Sequence, residues 1–590
     1  MSQPEQELTQ HAMLVLWGQF AQRIGLIKKL EAIPLHQKTY THQPQTKVLE
    51  FFVAILAGLP HLKDISRSAH PLDQDQAVAR AWGKPAWADY SGVSRTLHAL
   101  TLGEAHQIVQ LLDTLSQPFI DREVNQAYLN AGALTLDFDL TGRPVSNTSV
   151  SYPDVAFGYM GDQVQLGYQA AMASMHSPTY GRLWLSTALH PGDTVSCTQV
   201  AALVSAAEAK TGVRPWRRTE MLAQRLAQLE QQANAAEKDC QQAQKTLAHA
   251  QQKQRETTQK AQHWQEQVHQ LEVAYQLRQR PERPHSWLAK ARRRLTVQQR
   301  RQGRRDAAVQ KIERRLERRG TRWQQLQEAY TLLQQRQQQF EHDNASNPMP
   351  MPMTVRIDAG FGTSENIALL IELGYQVYSK PQSHWVTRKL KQEAATRTDW
   401  VRVGANAEMI AWSEKGLSRY PYPLDVAVER FHTGQNVRHS TLLHYGDQPV
   451  TTDLSGWFQQ YNGRQTIEAG IKEGKGVFEM HHLKVRAEAG LFLQEHFAAF
   501  AANFVRWAAH WLFTQCPSAS AESTPMSESG VKEMVQVAAH TSAWVIWQPH
   551  GCLLKFTKAS VYAGQSVQAD KEWAFQLPLP LFKSYVFAPT

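Results

Sequence analysis

The chain has 590 residues, 42% of them hydrophobic, and carries a formal net charge of +10. That length can bury cores in three or four domains of roughly 100–200 residues each, and the positive balance favours a polyanionic partner without separating nucleic acid from an acidic membrane surface. The four cysteines, Cys197, Cys240, Cys516 and Cys552, form no C-x-x-C pair and no zinc-site spacing, which excludes a disulfide framework and a thiolate metal site and fits reduced thiols in a cytosolic protein without a structural metal.

The opening MSQPEQELTQ is acidic and polar, unlike a secretory signal. Residues 1–125 read as mostly helical, with apolar residues at helical spacing through 12–30 and 47–58. Ser91 or Ser94 is placed to cap the last of these helices. The pattern fits a helix-turn-helix-like DNA-binding region and a plain helical bundle equally well. At 133–140 the period changes: ALTLDFDL alternates as a half-buried strand does. Strands are expected again at 165–174 and 182–189, then a helix at about 197–211.

Residues 217–345 are rich in Gln, Arg, Ala and Glu. A 3-4 repeat runs from Leu222 through Leu226, Leu229, Ala233 and Cys240 to Leu271 and Tyr275, with Gln254 and Thr257 its polar positions. A seam of that length predicts a coiled coil. It stops at RPERPHS, where Pro281 and Pro284 break the helix, and a second seam runs from Val309 to Phe340. Two long helices joined by a proline turn predict an antiparallel hairpin over 216–345. Its returning arm, 283–322, holds thirteen Arg and two Lys against three acids, a balance of +12. A charge run is usually a solvated helix face; an excess of one sign dominated by Arg favours phosphate contact.

After the linker NASNPMPMPMT, the strand TVRID, the helix ENIALLIELGY and the strand YQVYSKPQ make a β-α-β unit. More strands are expected over 420–450 and helix over 454–514. The apolar run 497–513 contains Arg506 and His510 and reads as a buried core helix, short of a membrane span. A Ser-rich linker, CPSASAESTPMSESG, separates a small β-containing region at 530–590.

Three acids stand in awkward places. Asp137 and Asp139 lie in an apolar strand, and Asp358 ends a second apolar strand before a Gly-rich turn. Buried acids are rare unless paired or bound to metal. Two strand-end carboxylates and a third on a nearby helix can hold Mg²⁺, which keeps waters and phosphate oxygens as its other ligands. The third is expected in DLSGWFQQYNGRQTIEAGIKEGKGVFEM, where Tyr461, Arg464, Glu468 and Lys475 fall on one stripe of a single continuous helix. An acid that holds metal beside cations that hold phosphate suits such a stripe; a surface Arg–Glu pair accounts for only two of the four.

The spacing Tyr461-(2)-Arg464-(3)-Glu468-(6)-Lys475 resembles the Y-R-E-K signature of a large branch of DDE insertion-sequence transposases. LDFDLTG resembles the family's first catalytic block and VRIDAGFG its second. The resemblance covers about 130–215 and 353–515, and more loosely the helical first 125 residues. It implies an α/β chain with an RNase H-like catalytic core split between 130–215 and 353–515, a helical N-terminal DNA-binding region at 1–125, the coiled-coil insertion, and a C-terminal β-rich region. It implies Asp139, Asp358 and Glu468 as catalytic metal ligands for two Mg²⁺, with Mn²⁺ as a substitute, and Tyr461, Arg464 and Lys475 as contacts to DNA. Asp139 is preferred over Asp137 because Asp-x-Thr, Asp139 and Thr141, matches the usual block. The activity implied is DNA cleavage and strand transfer by a homodimer on double-stranded DNA, without a membrane, in the cytoplasm of a bacterium at the nucleoid. The family gives no role for the long insertion. Two alternatives stand beside this one: a non-catalytic DNA-binding relative, and a haloacid-dehalogenase-like phosphatase, whose Asp-x-Asp-x-Thr-Gly block LDFDLTG also resembles, with Asp137 as nucleophile.

Overall fold

The computed structural model describes residues 5–38, 41–161, 163–279, 282–412, 417, 419–514, 530–549 and 551–570. Cys516, Pro281, the linker at 516–529 and the end of the C-terminal region at 571–590 lie outside the described residues. Residues up to 216 and from 347 onward make one unit, and 217–346 a second.

The first unit opens with strand β1 (Gln6–Thr9) and seven helices: α1 (Ala12–Arg23), α2 (Leu26–Glu31), α3 (Pro44–Leu56), α4 (Asp64–Arg67), α5 (Gln76–Ala81), α6 (Tyr90–Ala99) and α7 (Leu102–Leu129). Asp89 caps α6, its Oδ1 accepting from the Gly92 N–H at 2.9 Å. Ser91 and Ser94 therefore do not cap it: both lie inside the helix, and the extended backbone that a cap needs falls at Asp89. Thr101 and Glu104 close a reciprocal capping box at the start of α7.

Four strands follow, β2 (Leu134–Pro144), β3 (Ala156–Met160), β4 (Gln163–Ser177) and β5 (Gly181–Pro191), then helix α8 (Val200–Thr211). The second unit is α9 (Thr219–Leu277) and α10 (Trp287–Ala345), each of 59 residues. They run antiparallel and bury their repeat positions, among them Leu222, Ala233, Cys240, Val268, Val309, Leu333 and Phe340. The contact begins earlier on α10 than the apolar pattern signalled, at Leu288 and Ala291. Polar positions bridge the gap: Gln254 donates to Asp306 across the hairpin at 2.6 Å. At the base, the Arg217 N–H donates to Asn344 Oδ1 at 2.8 Å, and Asn344 Nδ2 donates to the Arg217 carbonyl at 2.9 Å.

The first unit resumes with β6 (Met353–Arg356), α11 (Ser364–Glu372), β7 (Gln376–Ser379), α12 (His384–Ala394), β8 (Val401–Arg402), β9 (Ala407–Ala411), β10 (Asp425–Thr433), β11 (Asn436–Tyr445), α13 (Leu454–Asn462), α14 (Gln465–Val477), α15 (Glu488–Thr514) and α16 (Val531–Gln536). Strands β12 (Ala543–Gln548), β13 (Gly551–Phe556) and β14 (Ser566–Asp570) close it. A mixed sheet of ten strands runs β3-β4-β2-β6-β7-β11-β10-β9-β8, with β5 beside β4. Strands β2, β6 and β7 are parallel neighbours; β4 and β5 run antiparallel to their own neighbours. A second sheet, β1-β12-β13-β14, joins the two ends of the described chain.

Helix α15 is the central post of this unit. It packs on β5, α3 and α7, and its aromatic face meets the N-terminal helices: Phe504 lies 5.1 Å from Phe20, Phe497 lies 5.2 Å from Phe52, and Trp507 stacks on Phe119 at 4.1 Å between ring centroids. Such aromatic burial dominates core energetics. Among the described residues, no helix is long and apolar enough to cross a membrane.

Candidate active site at the ends of the parallel strands

Strand β2 carries two acids into a largely apolar surface, and the structure gives them different fates. Asp137 is fully buried and pairs both oxygens with Arg356 of β6, Nε to Oδ1 at 2.6 Å and Nη2 to Oδ2 at 2.7 Å. The two residues are register partners on parallel strands. A bidentate pair of this geometry engages both carboxylate oxygens. Two residues beyond each member of that pair, where β6 has ended, stand Asp139 and Asp358. Asp358 turns the chain by accepting from the Phe361 N–H at 3.3 Å. The turn is tight: a Cβ on Gly362 would stand 1.8 Å from the Lys380 carbonyl.

Tyr461, Arg464, Glu468 and Lys475 do not share one helix. The chain breaks between α13 and α14, because Arg356 Nη1 donates to the Gln460 carbonyl at 3.0 Å. That carbonyl would accept the Arg464 N–H in a continuous helix; the N–H turns instead to the Tyr461 carbonyl at 3.0 Å, one residue tighter. Gly463 admits the guanidinium, since a Cβ there would lie 2.1 Å from Arg356 Nη1. Tyr461 thus ends α13, Arg464 sits at the junction, and Glu468 and Lys475 lie on α14.

The break aims Arg464 inward. Its Nη2 lies 3.1 Å from Asp139 Oδ2 and 3.7 Å from Asp358 Oδ2, and its Nη1 lies 2.7 Å from Glu468 Oε1. One guanidinium, 7% exposed, therefore gathers acids from β2, the turn after β6 and α14. Burial opposes its charge, but Asp139, Asp358, Tyr461 and Glu468 outweigh burial and push its pKa up. Asp139 shows the reverse balance. Burial raises its carboxyl to about 6; Arg464 pulls it down, and Asp358 and Glu468 push it up.

Lys475, half-buried on α14, is lowered by burial and by Arg143, against the opposing pull of Asp139 and Glu495. Arg143, fully buried on β2, pairs with Glu495 of α15 through Nη2 to Oε1 at 2.7 Å. Tyr461 is also buried, packed with Tyr378, Met409, Leu442 and Trp457, and Lys380 Nζ lies 5.1 Å from its ring centroid. Its phenol is pushed well above the usual range by burial.

The donor set fits a hard divalent cation. Three carboxylates supply oxygen, and Asp358 and Glu468 keep 39% and 49% of their side chains exposed, open to a hydrated ion. As a set the three oxygens do not close to within 4.8 Å of one another; Arg464 spaces them. Sequence reasoning missed Arg356, which occupies Asp137 and breaks the helix. Its signal was present: an Arg in an apolar strand, offset from Asp137 by the 219 residues that also separate Asp139 from Asp358.

No family model matches the chain, and no curated protein matches it. Among solved structures it is similar to a cryo-EM structure of the piggyBac transposase synaptic complex with hairpin DNA, at 9% identity and a TM-score of 0.36, over 91% of this chain and 83% of that one.

Proposed function

We propose that this chain is a DNA transposase of the DDE type, cleaving phosphodiester bonds at element ends and joining the freed 3′-hydroxyl to target DNA. The observation that supports it best is the convergence of Asp139, Asp358 and Glu468 on Arg464 at the ends of adjacent parallel strands. The strand order β5-β4-β2-β6-β7 supports reading the core as RNase H-like, and the hairpin of α9 and α10 as a coiled-coil insertion between its two parts. The phosphatase reading is disfavoured because Asp137, its nucleophile, has both oxygens held by Arg356.

Asp139, Asp358 and Glu468 are the residues that would hold Mg²⁺ or Mn²⁺. Two such ions would supply activation of the attacking water, and then of the freed 3′-hydroxyl, and charge stabilisation at the leaving oxygen. Arg464 holds the acids against their mutual repulsion and presents positive charge beside the scissile phosphate. Lys475 adds a second phosphate contact from α14, the helix that carries Glu468. Tyr461, buried as it is, supports the break that aims Arg464. The DNA is double-stranded, and a homodimer brings two ends together.

The test is cleavage of a plasmid carrying the gene's own flanking sequences. With Mg²⁺ present, Asp139→Ala, Asp358→Ala and Glu468→Ala should each lower the rate by at least about 100-fold. Mn²⁺ should raise the melting temperature of the parent and not that of the triple variant. Cleavage retained by the three variants sinks the assignment. DNA binding without cleavage by the parent points to a non-catalytic relative.

A further inference from the structure

Just beyond α14 the chain reads Glu479-Met480-His481-His482. Glu479 adopts a left-handed backbone, φ 53°, a conformation strained for a non-glycine residue. His482 Nδ1 lies 2.8 Å, and His481 Nε2 3.5 Å, from Glu479 Oε2. Among the described residues, these are the three metal-ligating side chains whose donor atoms all lie within 4.8 Å of one another.

We propose that Glu479, His481 and His482 form a transition-metal site that takes Zn²⁺, distinct from the carboxylate centre. Two imidazoles and one carboxylate are a borderline-soft donor set that suits zinc and not magnesium. At zinc–ligand distances of about 2.0–2.1 Å, tetrahedral geometry sets neighbouring donors ~3.3 Å apart. The observed 2.8 and 3.5 Å bracket that spacing. The donor nitrogen of His481 is already selected: its Nδ1 is hydrogen-bonded to the Lys475 carbonyl, which leaves Nε2 for the metal. Fixing the tautomer through the other ring nitrogen is how metal-binding histidines are held. All three ligands are half-buried, so an ion can enter from solvent. His61 lies beside the cluster, its ring centroid 5.5 Å from that of His482.

The site has a structural consequence. Its ligands lie on the chain between α14 and α15, and His481 is tied to the last turn of α14 through the Lys475 carbonyl. Met480, between the ligands, places its sulfur 3.7 Å from Arg143 Nη2. Zinc bound there clamps the C-terminal turn of α14 without contacting the three carboxylates.

The experiment is zinc binding by the full chain, followed by competition with a chromogenic chelator. Magnesium is held in excess to fill the carboxylate site, and Co²⁺ absorption reports tetrahedral coordination. We expect one tight Zn²⁺ per chain, an affinity at least about tenfold weaker in His482→Ala, and unchanged affinity in the Asp139→Ala, Asp358→Ala, Glu468→Ala triple variant. The Lys484 ammonium, whose charge acts on Glu479 and His481, opposes a bound cation; Lys484→Met should tighten zinc, and it tests the site without removing a ligand. No zinc above that taken by His482→Ala, or zinc lost in the carboxylate triple variant and kept in His482→Ala, overturns the proposal. Because the readout is metal content, it stands or falls independently of DNA cleavage.

Discussion

Asp139, Asp358 and Glu468 share the reach of one guanidinium, and removing it changes the protonation of Asp139. Arg464 pulls Asp139 down while burial holds it up at about 6. In Arg464→Ala the Asp139 carboxyl should rise further. A folded-state pKa above the unfolded value gives stability that is present below the unfolded pKa of about 3.9 and lost as pH rises through the folded value. The variant's melting temperature, measured with EDTA, should therefore fall more steeply than the parent's between pH 5 and pH 8; parallel curves would refute this coupling. Glu50 offers a case remote from the carboxylates. It is fully buried on α3, accepts from the Ala88 N–H at 2.9 Å through Oε2, and its pKa is raised well above the usual carboxylate range by burial. Its ionisation costs stability as pH rises, so Glu50→Gln should stabilise the protein by on the order of 1 kcal/mol at pH 8 and leave it unchanged near pH 4. Thermal melts at the two pH values check it.

At the scale of elements, the junction between α13 and α14 rests on a contact that local sequence does not display. Helical spacing through 454–477 suggested one helix, because both halves are good helix. The break comes from Arg356, about a hundred residues away in sequence, taking the Gln460 carbonyl. Gly463→Ala should cost roughly 1–3 kcal/mol through the clash with Arg356 Nη1 and lower DNA cleavage along with the melting temperature. The long seams of α9 and α10 were readable because their repeat is local, and β2, β4, β5, β10 and β11 because they alternate or carry β-branched residues. Strands β3, β8, β9 and β14 are short or flanked by polar residues, and β1 is four residues whose partner lies at the other end of the described chain. Among the candidate site residues, Asp139 and Asp358 were legible as acids in apolar strands. The burial of Tyr461 was not, since an aromatic on a charged stripe gives no hint of which side packs. The polar layer of the hairpin yields its own expectation. Replacing Gln254 and Asp306 together by Leu should stabilise the isolated hairpin, because a polar pair in such a seam sets register at a cost in stability. Chemical denaturation of the hairpin peptide with and without the double change measures it.

For the whole molecule, the mutual hydrogen bonds of Arg217 and Asn344 at the hairpin base mean that 219–343 can be excised and the ends rejoined by a short linker. If the arginine face of α10 grips DNA, the excised protein should bind element ends with a shallower dependence of log affinity on log salt, by about 0.9 for each phosphate that is no longer neutralised. An unchanged slope, with unchanged dimerisation by sedimentation, would show that the hairpin serves neither DNA nor the partner subunit. The hairpin also imposes an order in time. Asp137 and Arg356, the pair that sets the Asp139–Asp358 register, are 219 residues apart, and Glu7 meets Trp547 only after 540 residues. At ribosomal rates of about 5–20 residues per second, those gaps last roughly 10–45 s and 30–110 s. The arginine-rich helix, ending at Ala345, is synthesised before Asp358 is added to the chain. During that interval a nascent chain carries its basic arm without the completed carboxylate cluster, and an interrupted message yields a product with the arm and without the cluster.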